Sequence, residues 1–302
     1  MTFALEAAGL GRRYGKTWAL QNCSLQIPAG CVVGLVGPNG AGKTTLLHLA
    51  MGLLDPSAGS IQILGYVPRE HPQEVLTRVG FVAQNRPLYT DLTVEQHLQF
   101  GARLNTHWDT IRARERLAHY EIPFNRKTGR LSEGQRAQVA LALALAKCPQ
   151  LLLLDEPLAS LDPLARQEFL RTMLVAATEE HITVVFSSHV VAELGRFCDS
   201  ILLLAKGHIQ LAGDVDTLLA RHKRFTGESN ELHQFDRDPA IVSRSQNDRQ
   251  ITLVAQTDAK ISRLGWTEHE VTLEELILAY MANPSASMRP FRWEAEREEL
   301  RK

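Results

Sequence analysis

Uninterrupted apolar runs punctuate the first two thirds of this chain, at 31–36, at Leu151–Leu154 and at 183–186. A strand exposed on one face alternates apolar with polar residues, so unbroken runs of this length predict strands covered on both faces. Each run leads into a polar or glycine-containing turn and then a stretch with helical spacing, the order of an α/β domain with a largely parallel sheet. In such sheets ligands bind at the carboxyl ends of the strands, which makes the residues just after these runs the first functional candidates.

Helix starts are legible too. Thr93 with Gln96 and Ser132 with Gln135 have the spacing of capping boxes, and Asp162 before Pro163 supplies an N-cap and a preset first turn. The charged, helical composition of 100–129 predicts a helical insertion. Past residue 221 the character changes to a polar stretch at 225–239, then β-like runs at 240–244 and 250–255, with Gln246, Asn247 and Asp248 as the turn between them. Thr272 and Glu275 can cap a helix carrying Leu273, Leu276, Ile277 and Tyr280 on one face, and 291–302 reads as a mixed-charge tail. The expected organisation is a domain at 1–222 with a helical subdomain at about 86–150, and an accessory region at 223–302 made of a β-hairpin and a helix. No internal repeat is visible.

Composition narrows the classes. With 302 residues, 44% of them hydrophobic, the chain can bury a full core. Thirty-three Lys and Arg against 34 Asp and Glu leave no global field to draw it to nucleic acid or anionic lipid. Cys23, Cys31, Cys148 and Cys198 lack metal or disulfide spacing and predict buried, reduced thiols. The first 14 residues lack the build of a secretory signal, and no run approaches the ~20 apolar residues of a spanning helix, so a membrane role requires another subunit.

Gly37, Pro38, Asn39, Gly40, Ala41, Gly42, Lys43 and Thr44 fit G-x-x-x-x-G-K-[ST] between an apolar strand and a helical run opening at Thr45. The glycines let the backbone curl so that successive N–H groups point at phosphate oxygens, and the helix adds its positive end. Lys43 reaches the β and γ phosphates and Thr44 takes Mg²⁺. Asp155 and Glu156 close the apolar run Leu151–Leu154, and adjacent side chains leave a strand at different angles. One carboxylate can serve the metal and the other the attacking water: Asp155 for Mg²⁺, Glu156 for the water.

With these residues in place the chain resembles the ATP-binding cassette ATPases over about residues 3–221. Leu131-Ser132-Glu133-Gly134-Gln135 is similar to the family's L-S-G-G-Q signature and precedes the acidic strand, as the family requires. Gln84 resembles the Q-loop glutamine, a further metal candidate; Ser160-Leu161-Asp162 resembles the D-loop; and His189 resembles the switch histidine. Tyr14 sits where an aromatic stacks on adenine, although packing alone would also explain it. The resemblance implies a P-loop cassette: a mostly parallel core sheet, an antiparallel β subdomain and an α-helical subdomain, with a small α+β region after it. It also implies Mg²⁺-dependent ATP hydrolysis, with Glu156 and His189 catalytic. ATP would contact Tyr14, the loop from Gly37 to Thr45, Gln84 and Asp162, and Ser132, Gly134 and Gln135 would act on the nucleotide of an opposite subunit in a head-to-tail dimer.

Two departures stand out. Glu133 replaces the signature's first glycine and must point away from the nucleotide, and 141–146 lacks an arginine common in the family. The leading expectation is the ATP-binding subunit of a transporter, a homodimer or heterodimer on the cytoplasmic face of a membrane. Its separate permease would be contacted through Asn85, Leu88 and Tyr89. The segment Val271-Thr272-Leu273-Glu274-Glu275-Leu276-Ile277 resembles the tail of subunits paired with ABC-2-type export permeases, which points to export; a helix packing on its own hairpin explains the same residues. The alternatives are a non-transport cassette acting on a soluble machine and a module that senses ATP without cleaving it. Against the first stand a single cassette and no long coiled coil; against the second, Glu156 and His189.

Overall fold

The computed structural model describes residues 2–195, 197–228, 240–247, 250–256 and 266–283. The chain opens with β1 (Phe3–Tyr14) and β2 (Thr17–Pro28), a long antiparallel hairpin. It continues into β3 (Val32–Val36), the phosphate-loop turn and α1 (Lys43–Ala50). Next, β4 (Ala58–Ile63) joins β1 to complete a three-stranded antiparallel sheet, followed by α2 (Pro72–Arg78) and β5 (Val79–Val82). The helical insertion holds α3 (Val94–Leu104), α4 (Thr110–His119) and α5 (Glu133–Leu145). After it come β6 (Leu151–Leu154), α6 (Pro163–Glu179), β7 (Thr183–Ser188), α7 (Val191–Leu194), β8 (Ser200–Ala205), β9 (His208–Asp214) and α8 (Val215–Ala220).

The six-stranded core sheet runs β5-β6-β7-β3-β8-β9, parallel except for β9. Its unbroken apolar strands divide their side chains between two cores. Leu151 and Leu153 pack with α1 and the antiparallel sheet, while Leu152 and Leu154 pack with α5 and α6. Both faces are thus dry, which is why the sequence showed no polar alternation. The expected strands appear with small shifts at their ends: β3 starts at Val32, and β7 runs on to Ser188.

All four expected N-caps form. Thr93 and Ser132 close complete capping boxes, and Asp162 accepts from Leu164 N–H and Ala165 N–H at 3.0 Å. Thr272 caps α9 (Leu273–Ala282), the last described helix, through a third box. Each is worth about 1 kcal/mol to its helix. The thiols depart from expectation. Cys23 and Cys198 are buried, and burial pushes both up, but Cys31 is half-buried and Cys148 is exposed.

The region after residue 221 is larger than a hairpin and a helix. Residues 225–228, expected within a polar stretch, belong to strand β10 (His222–Glu228); 229–239 lie outside the described residues. β11 (Ile241–Gln246), β12 (Gln250–Gln256) and β13 (Thr267–Glu270) complete a four-stranded antiparallel sheet in the order β11-β12-β10-β13. Of the expected turn, Gln246 ends β11 and Asn247 N–H donates to the Gln250 carbonyl at 2.9 Å, while Asp248 lies outside the described residues, as does the 291–302 tail. The helix α9 packs on β11 and also on α7, α8 and β9. Its buried face is the expected one, Leu273, Leu276, Ile277 and Tyr280, and it shares one continuous core with Phe169, Phe186 and Leu203 of the cassette. No helix among the described residues is long and apolar enough to cross a membrane.

Candidate nucleotide site

Neighbouring strands β6, β7 and β3 end side by side, with Leu154 opposite Phe186 and Val36 opposite Ser188. That register brings three distant segments to one edge of the sheet: the loop from Gly37, the pair Asp155 and Glu156, and Ser187 to His189. Two glycines fix the loop. A Cβ on Gly37 would lie 2.1 Å from the Leu204 carbonyl oxygen. Gly42, the N-cap of α1, has φ 107°, and a Cβ there would lie 2.5 Å from the Ala19 carbonyl oxygen. No side chain fits either place, so the loop takes its curl from backbone alone.

Lys43, the first residue of α1, is buried and folded back over the loop. Its ammonium donates to the Gly37 carbonyl at 2.7 Å and the Pro38 carbonyl at 3.3 Å, and lies 3.2 Å from Glu156 Oε1. The Glu156 contact is an ion pair without hydrogen-bond alignment, so the buried Oε1 accepts no directed hydrogen bond. The other oxygen, Oε2, lies 2.8 Å from His189 Nδ1. A carboxylate only accepts, which puts the imidazole proton on Nδ1 and leaves Nε2 an acceptor in the neutral ring. The His189 side chain is 51% exposed and so has a solvent-facing side from which to meet a ligand. Glu156 holds φ at 45°, a left-handed conformation uncommon outside glycine, which aims its carboxylate into this gap.

Asp155 is nearly fully buried and accepts from the Ser187 hydroxyl at 2.8 Å. The same hydroxyl accepts from Glu156 N–H at 2.7 Å, so Ser187 holds both acidic residues in register. Sequence reasoning missed it, although the polar Ser187-Ser188 step closing an apolar strand was the available signal.

An open cleft of about 470 Å³ is lined by Asn39, Gly40, Ala41, Gly42, Lys43, Thr44, Thr45, Gln84 and Glu156, with Ala19 at its edge. Most of the expected nucleotide residues therefore share one space, with the exposed Thr44 and Gln84 beside Glu156. The glycine cradle, a Glu156 Oε1 that accepts no directed hydrogen bond and a lysine satisfied only by carbonyls and that carboxylate fit a triphosphate with its metal.

The other expected residues are placed elsewhere. Tyr14, half exposed at the end of β1, carries the Arg12 guanidinium 5.0 Å from its ring centre. Ser132, exposed, and the half-buried Gly134 and Gln135 form the start of α5, with Ser132 Oγ accepting from Gln135 N–H at 3.2 Å. The carboxylate of Asp162 is engaged by its own helix. The half-exposed Glu133 carboxylate pairs with Arg86 and Arg136.

Known proteins resemble this chain in sequence and fold. The ABC transporter family model matches residues 20–159. The sulfate/thiosulfate import ATP-binding protein CysA of Bordetella parapertussis is 32% identical over 94% of this chain and 86% of its own length. The ABC transporter ATP-binding protein NatA of Bacillus subtilis is 34% identical over 66% of this chain and 83% of its own. Among solved structures, the dimeric post-hydrolysis state of the cassette MJ0796 bound to ADP and Pi superposes with a TM-score of 0.63 at 26% identity, covering 70% of this chain and 98% of that one. A P-loop cassette fold, the loop and acidic strand at one sheet edge, and kinship along nearly the whole length lead to one conclusion: the chain belongs to the ATP-binding subunits of ABC transporters and is an ATPase that works on ATP with Mg²⁺.

Proposed function

We propose that this chain is the motor of a transporter whose membrane-crossing part is a separate permease, driven by two copies or two related subunits closing over ATP. The observation that carries the reading is the convergence of Lys43 and His189 on the two carboxylate oxygens of Glu156, which with Lys43 lines the cleft. Incoming phosphate draws the Lys43 ammonium away from the Gly37 carbonyl and from Glu156, which frees Oε1 to accept a proton. A water held there attacks the γ phosphorus as Glu156 takes that proton and the bond to the ADP oxygen breaks. His189, donating to Oε2, fixes the carboxylate so that Oε1 is the basic oxygen. Thr44, Gln84 and Asp155 would hold Mg²⁺, which would supply neutralisation of the phosphate charge. Only one of those ligands is a carboxylate, so metal and nucleotide should bind as a pair.

Ser132, Gly134 and Gln135 serve the opposite subunit's nucleotide, which accounts for the exposure of Ser132, and Asp162 lies on the same closing face. Tyr14 supplies the adenine platform. Asn85, Leu88 and the exposed Tyr89 meet the permease, which places the chain on the cytoplasmic face of the membrane. Residues 1–222 act as the motor and 223–302 as an accessory region.

Export is the direction to which the C-terminal segment ending in α9 points. A second direction, import, is favoured by the names of the sulfate/thiosulfate relatives, which align over most of this chain. Reconstitution with its cognate permease, in vesicles with ATP supplied on the motor side, tests both levels. ATP-dependent solute movement is expected. Movement away from the motor side supports export, movement toward it overturns export, and no permease-dependent stimulation of ATP hydrolysis overturns the transport reading.

A further inference from the structure

Two residues beyond Gln84, Arg86 has its backbone in the left-handed region (φ 41°) and its guanidinium buried, with the residue 7% exposed. Burial pulls the guanidinium below its ordinary value, with Glu133 opposing. Burying a guanidinium is costly, and a buried ion pair is weak evidence for stability, so its contacts should be read for geometry. Nη2 donates to the Pro157 carbonyl at 2.8 Å and the Ala159 carbonyl at 2.7 Å. Nη1 lies 3.4 Å from Glu133 Oε2, while the other Glu133 oxygen pairs with Arg136. One side chain therefore joins the segment after Gln84, the turn after Glu156 and the first residue of α5.

The turn it grips is strained. Glu156 and Ser160, at its two ends, both have positive φ, 45° and 65°, without being glycine. Such conformations persist only where surrounding contacts over-determine them. Nη2 holds the two carbonyls while Nη1 of the same rigid plane reaches Glu133, and a lysine would have to make all three contacts from one nitrogen on a flexible stem, without that fixed spacing.

We propose that Arg86 is a positioning residue that locks the start of α5, with Ser132, to the turn that aims Glu156, so that the half-site serving the subunit's own nucleotide and the half-site facing its partner's move as one. Glu133, standing where the family has glycine, is the anchor on the α5 side. The inference rests on the roles given to Glu156 and Ser132 under the proposed function.

Arg86→Lys and Glu133→Gln, each purified beside wild type and Glu156→Gln, separate the two levels. Arg86→Lys should lower maximal ATP turnover about tenfold or more while the Kd for nucleotide on the isolated subunit stays within about twofold, since Arg86 touches neither loop nor cleft floor. Glu133→Gln, half exposed and safe to fold, should lower turnover about threefold with the same unchanged Kd. Combining the two should cost less than the product of the single effects, because both break one linkage. Arg86→Lys turnover within twofold of wild type overturns the proposal, as does a loss shared equally by turnover, nucleotide affinity and Tm. Full activity in Glu156→Gln would instead overturn the underlying site assignment.

Discussion

The nucleotide cleft and the C-terminal sheet are built against the same six-stranded core by opposite means. In the cleft, polar groups converge: Lys43, Glu156, His189, Asp155 and Ser187 meet within hydrogen-bonding or ion-pair distance at three strand ends. In the C-terminal region apolar burial dominates, with Leu276, Ile277 and Tyr280 of α9 wholly inside the cassette's own core. A polar constellation of this kind can be changed without unfolding the protein, whereas the C-terminal region can be undercut without touching chemistry. Helix α9 is thus packed into the cassette's core.

Three changes probe the contrast. The largest stability effect is expected from Tyr280→Ala. It empties a fully buried site and strips His222 Nε2 of the hydroxyl 2.9 Å away, while His222 Nδ1 stays bonded to the Leu218 carbonyl. Denaturant unfolding should show a loss of about 3–5 kcal/mol, with nucleotide affinity unchanged in the protein that remains folded. A stable Tyr280→Ala would mean that α9 is merely laid on the surface.

Lys43→Ala should do the reverse. Loss of a charge-assisted contact to phosphate is worth about 2 kcal/mol, roughly 30-fold in Kd by calorimetry, with Tm little changed. Unaltered affinity would count against the loop assignment.

The smallest effect belongs to Glu275. Burial pushes its carboxyl up, but the Thr272 N–H and hydroxyl and the Arg224 guanidinium outweigh this, so the group sits below its ordinary value. A lowered carboxyl stabilises the fold above the ordinary carboxylate range, and that contribution is lost as pH falls through the lowered value. Glu275→Gln should therefore cost about 0.5 kcal/mol at neutral pH, a cost that vanishes in acid. A penalty that persists at low pH would place the effect in packing.

How much of this was legible in the sequence followed the range of the interactions. The phosphate loop, the acidic pair and four N-caps are local patterns, readable because backbone geometry dictates them within a few residues. β10 was misread in part because 225–228 opens a polar stretch, and β13 was not anticipated because Thr267–Glu270 is wholly polar and exposed or half-buried at a sheet edge. Ser187 and Arg86 act across long sequence separations, on residues 155 to 159 that only strand order brings near. Glu133 was visible as an anomaly, and its partner became apparent only in three dimensions.

The proposed chemistry turns on Glu156 taking a proton from water beside a bound triphosphate. Phosphate release by Glu156→Gln, measured with Mg²⁺ and ATP next to a nucleotide-binding titration, tests this most directly. The prediction is turnover lower by roughly 100-fold or more, the scale of a lost general base, with ATP still bound. Wild-type phosphate release from that variant would contradict it.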